Sequence, residues 1–202
     1  MHLRLATALA FMALVPAKGE YSAEDRSTLK RHLESSRQMI AVALEGMNVE
    51  QCNFKPDSKV WSATEVVEHL VLIEDLLMGI LKQTMETTKP VPDSEKLPDP
   101  SAMDATILKS LPDRSQKAQA PEQAIPKGNF RDWEEAYREF SARRLKTIEF
   151  VEHTKADLRR YRLQTPLGTV DAHQWLLLLS AHSERHQYQI AELKENEFFP
   201  KK

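Results

Sequence analysis

The chain has 202 residues, 41% of them apolar and 29% charged, with only five glycines. That length suits one domain rather than two, and so few glycines disfavour turn-rich all-β architectures. A formal charge of -2, from 28 Lys and Arg against 30 Asp and Glu, gives no basic excess for a phosphate backbone and excludes nucleic acid as the expected partner. The single cysteine, Cys52, has no internal partner for a disulfide and no second cysteine for a zinc pair, so its expected role is packing.

Residues 1-17 open with Met1-His2-Leu3-Arg4, continue as an apolar run from Leu5 to Val15 and end on Val15-Pro16-Ala17. A basic start, a short apolar stretch and a small-residue end are the outline of a secretory signal. The run is shorter than the roughly 20 residues needed to span a bilayer, so no stable membrane span is expected. The expected domain is then 18-202, in an exported protein; without the signal it is cytoplasmic.

A first helix is expected from about Ala23 to Met47. Leu29, Leu33, Ser36, Ile40, Ala43 and Met47 step by four and three along it, and Ser22 stands ready as its cap. The second has the clearest start: Ser62 followed three residues later by Glu65, with Trp61 placed to staple against Val66. Its stripe runs through Val66, His69, Ile73, Leu76 and Ile80. Residues 88-128 hold seven of the eleven prolines, which predicts a long crossover loop with at most a turn of helix near Ile107 to Leu111. Such a loop either crosses the end of the domain or covers something. A third helix is expected from Asn129 to about Leu158, carrying Trp133, Tyr137, Phe140, Ile148 and Val151. Tyr161 to Thr165 reads as a short extended piece, and a fourth helix, capped by Thr169 or Asp171, runs to about Asn196. Four amphipathic helices bury their stripes against one another, so the expected fold is all-α, a four-helix bundle.

Two histidines, His182 and His186, interrupt the apolar stripe Trp175, Leu179, Ile190 and Leu193 of the fourth helix. Four residues apart, they share a face and can reach one ion. His69 interrupts the second helix's stripe in the same way. A lone inward histidine is usually a hydrogen-bonded core residue. Three of them in one interior form a polar cluster that an apolar core disfavours unless something binds it. His32 and His173 have no partner at ligand spacing, His153 lies beside charged residues near a helix end, and all three read as structural or solvated. In His182-Ser183-Glu184-Arg185-His186 the acid is one place too late for a zincin motif, and Glu184 is expected to face away. Glu65 is explained by capping, and Glu68 lies one residue off the stripe, so neither makes a good general base.

Trp61-Ser62-Ala63-Thr64-Glu65-Val66-Val67-Glu68-His69-Leu70, with the later His182 to Ile190 segment, resembles the DinB-like (YfiT-like) metalloprotein family. The resemblance covers about residues 22-196. It implies a bundle with a three-histidine site at His69, His182 and His186 for a divalent ion, nickel or zinc first, then iron or manganese. The resemblance says less about chemistry; three protein ligands with an open position is the arrangement of catalytic zinc sites, so the first expectation is a metal-dependent hydrolase acting on a small-molecule ligand. The alternatives are a non-catalytic metal-dependent binding module or, in a cytoplasmic protein, a thiol-dependent transferase. Catalytic residues beyond the metal ligands are not identified, and a homodimer is left open.

Overall fold

Helix α1 (Ala23–Leu44) starts where Ser22 accepts a hydrogen bond from the Asp25 amide, and it buries Leu29, Leu33, Ser36, Ile40 and Ala43 as the periodicity requires. The computed structural model describes residues 20–201, apart from 116, 118 and 167. The expected signal at 1-17 lies outside the described residues. α1 ends three residues before the expected Met47, because Gly46 takes a left-handed φ of 71° and Asn48 caps a new turn, α2 (Val49–Cys52). Cys52 is fully buried, in its expected packing role.

Helix α3 (Ala63–Thr87) begins with the reciprocal Ser62 and Glu65 capping box. Its stripe needs one correction: Ile80 is 37% exposed, and Leu81 is buried in its place. Strict three-four stepping drifts about 20° per heptad on a straight helix, so after two heptads it has rotated off the buried face.

The proline-rich region is more regular than expected. A ten-residue helix, α4 (Ser101–Ser110), fits between Pro100 at its N-cap and Pro112 just past its end, two places where a missing N–H is harmless. A 3-10 turn follows at Glu122–Ala124.

Helix α5 (Trp133–His153) starts four residues later than expected, capped by Asp132, and stops at His153 rather than Leu158. Asn129 is engaged elsewhere, as described below. Strand β1 (Arg162–Thr165) confirms the extended piece and pairs antiparallel with β2 (Gly168–Asp171), a partner that the sequence pattern does not announce. Leu163 and Val170 face each other across this hairpin and are buried. Asp171, not Thr169, then caps α6 (Ala172–Lys194) in a capping box with Gln174.

The fold is all-α apart from this hairpin. α1 packs on α5 and α6, and α3 packs on the same two helices. Two apolar clusters fill the interior, one around Leu29, Leu33, Ile73, Ile148 and Leu176, the other around Ile40, Val66, Leu70, Phe140 and Ile190. Between them each long helix contributes a polar residue: Ser36, Glu74, Arg144 and Ser183. Trp175 and Tyr137, aromatic residues that could line a pocket, belong to the packing instead, with Trp175 Nε1 donating to the Leu77 carbonyl and Tyr137 Oη to that of Arg37. No helix of the described residues is long and apolar enough to cross a membrane.

The segment between α3 and α5 runs along α6. Val91 pairs with Arg160, Asp104 accepts from Gln174, and Arg114 forks onto Glu192. It then returns to α3 at Ala124.

Candidate metal centre

His69 comes from α3, and His182 and His186 from successive turns of α6. The helices bring together all three histidines singled out in the sequence, with one nitrogen of each within 4.8 Å of the others. His182 Nε2 stands 3.1 Å from His186 Nε2 and 3.4 Å from His69 Nε2. Nitrogens bound about 2.0–2.1 Å from one ion at tetrahedral angles stand about 3.3 Å apart, so these two separations fit shared coordination.

The outer ring nitrogens set the tautomers. His69 Nδ1 donates to the Ala124 carbonyl at 2.6 Å. His186 Nδ1 faces Gln189 Oε1 at 2.8 Å, and Arg114 Nη1 donates to the same atom, which marks it as the amide oxygen and Nδ1 as the donor. Both Nε2 atoms therefore keep their lone pairs and aim them inward, as metal-bound histidines are held. His182 can place at most one proton between two such lone pairs, and its buried Nδ1 has no hydrogen-bond partner. A buried polar atom left unmatched costs about 1–3 kcal/mol, so the cluster is incomplete on its own terms. Three convergent imidazole nitrogens, of which one proton can pair at most two, fit a divalent ion that prefers nitrogen ligands.

Burial pushes all three imidazoles below the usual histidine range. The neighbouring rings push His182 and His186 further, His186 to about 3, while the bond to Ala124 works the other way on His69. Neutral imidazoles are the form that ligates a metal.

Trp61 packs over the cluster, its ring 4.8 Å from that of His69 and 6.5 Å from that of His186. Its position in the sequence suggests only a staple. Of the three histidines, His69 and His186 are buried and His182 is half-buried. A surface concavity of about 650 Å³ is lined by Arg31, Met39, Val42 and Gln187 and by none of the three histidines.

A family model for the DinB superfamily matches residues 32–190. The chain belongs to the DinB superfamily. All three clustered histidines lie inside the DinB match. The chain is also similar to the uncharacterized protein YuaE of Bacillus subtilis (strain 168), 27% identical over 153 residues that cover 75% of this chain and 88% of that protein. No solved structure matches this chain.

Among the other residues weighed for this DinB site, Glu68 alone departs from its expected place. Glu68, expected off the buried stripe, is 1% exposed, with both oxygens occupied by the backbone and side chain of residues 127–129. Glu65 is held by the cap and by Lys55. Glu184 accepts from Tyr188 and lies outside the cluster, as expected. His173 is buried against Tyr21, His153 is exposed, and His32 is half-buried. Sequence reasoning misses Gln189 and Ala124. Gln189, three residues past His186 on one helix face, carries a readable signal, whereas a backbone carbonyl carries none.

Proposed function

We propose that this protein holds one divalent metal ion, nickel or zinc before iron or manganese, through His69, His182 and His186, and that it acts as a metal-dependent hydrolase on a small molecule. The observation that supports this most is the meeting of three Nε2 atoms at separations of 3.1 and 3.4 Å, two of them with their Nδ1 atoms already committed. A divalent ion in this setting supplies Lewis acidity at the positions its protein ligands leave open. Ala124 and Gln189 orient two of the imidazoles, and burial keeps all three neutral. The Trp61 ring shields one side from water, which leaves the half-buried His182 side for entry of a ligand.

A second reading, capture of a small ligand without turnover, is favoured by the engagement of both neighbouring acids. Glu65 and Glu68 are tied to amides, to Lys55 and to Asn129, so neither is free to move a proton.

Elemental analysis of untagged protein, followed by assays on esters, amides and phosphoesters with and without chelator, tests both. Near-stoichiometric metal with hydrolysis abolished by chelator and by His182→Ala is the expected result. Metal without chelator-sensitive hydrolysis, and without thiol transfer in a parallel assay, favours capture. Protein purified free of metal that also takes none up dismisses both. Export rests on residues 1-17 and is a proposal of the same kind, checked by cell fractionation and by a mature N-terminus near Lys18.

A further inference from the structure

Segment 122–129 reaches the histidine cluster from outside the four long helices and is fastened to one turn of α3 at two points. The first is the bond from His69 to the Ala124 carbonyl. The second is Glu68, whose carboxylate accepts from the amides of Lys127, Gly128 and Asn129 at 3.0, 2.9 and 3.2 Å, and from Asn129 Nδ2 at 2.6 Å. Gly128 adopts a φ of 75°, a left-handed turn that lets successive amides converge on one anion. Ala124 lies three residues before Lys127, so a shift of residues 127–129 is passed along that short stretch to the carbonyl that orients His69.

We infer that Glu68 is a positioning residue of the metal centre: by clamping residues 127–129 it holds the Ala124 carbonyl on His69 Nδ1 and keeps the His69 Nε2 lone pair aimed at the point shared with His182 and His186. This rests on the metal-binding reading above. It makes segment 122–129 the outer layer of the site, and the coupling runs both ways. An ion that fixes His69 also fastens the segment, because linkage between two binding events is reciprocal.

Cobalt(II) titration of the full chain, read by calorimetry and by the visible absorption of the bound ion, tests this on wild type, Glu68→Gln and Asn129→Ala. Hydrogen exchange of peptides spanning 122–129 is followed with and without cobalt. The expected results are about a 10–100-fold weaker affinity and an altered cobalt spectrum in Glu68→Gln, the usual scale for a lost outer-layer partner. Asn129→Ala, which removes one donor of four, shifts affinity the same way by less, and cobalt slows exchange across 122–129 in wild type. A folded Glu68→Gln with wild-type affinity and spectrum, or exchange indifferent to cobalt, overturns the inference while the metal reading stands. If Glu68→Gln does not fold, Asn129→Ala and the wild-type exchange decide. Wild type that takes up no cobalt ends both.

Discussion

Arg144 and His182 both place nitrogen atoms in the interior of the same bundle, and they differ in how those atoms are matched. Arg144 is fully buried, yet each of its nitrogens has a partner: Glu74 from α3, the Leu33 carbonyl and Ser36 from α1, and the Leu179 carbonyl and Ser183 from α6. Glu74 in turn accepts from Thr147. That network is closed and ties all four long helices together. The histidine cluster is open: its inner nitrogens point at one another, and His182 Nδ1 has no hydrogen-bond partner. Polar burial alone therefore does not mark a functional site. A closed network is explained by the fold, whereas an open one asks for something from outside.

The comparison breaks first at Arg144. Arg144→Met strands the Glu74 carboxylate in the core and is expected to lower unfolding stability by about 3–5 kcal/mol in urea titrations, with or without metal. Adding Glu74→Leu recovers part of the loss; a double variant less stable than the single one would argue against a closed pair.

His173 sharpens the contrast, because it is a buried histidine that does have a partner, Tyr21. Burial first, then the Arg159 charge, pushes its pKa down to about 4. The folded protein thus refuses a proton that the unfolded chain accepts near pH 6.5. Its stability is fully present above that pH and is lost as pH falls toward 4, by about 3 kcal/mol in all. Denaturant melts at pH 7, 5.5 and 4.5 should show a flatter loss in His173→Gln than in wild type, the difference between the two following this slope.

At the open cluster, stripping metal from wild type is expected to cost about 2.7 kcal/mol relative to protein held at a hundred times its metal Kd. Thermal melts with and without chelator measure it. The smallest effect belongs to His182→Ala without metal, expected within about 1 kcal/mol of stripped wild type, since the change removes an unmatched buried nitrogen. A loss as large as that of Arg144→Met would mean that the cluster is closed after all and serves the fold.

Much of the site is legible in the amino-acid sequence. The interruption of two apolar stripes by His69, His182 and His186 points all three inward, and helical periodicity converts that directly into a shared interior. The caps at Ser22 and Ser62 are legible because capping is a local reaction between a side chain and amides two or three residues on. Legibility ends where the partner is distant in the chain. Glu68 looks idle in sequence because its partners lie about 60 residues away, and Arg144 looks like a surface residue of an amphipathic helix for the same reason. Prolines mislead at residues 100–112, where they bracket a helix instead of forbidding one.

Local sequence, then, settles where helices begin, which faces turn inward and which residue types those faces carry, since each depends on neighbours within a turn or two. Only the packed chain decides which inward groups meet partners and which are left facing one another. Hydrogen bonds and coordination need ångström-scale approach between segments that the chain order keeps far apart, and no periodicity encodes that distance.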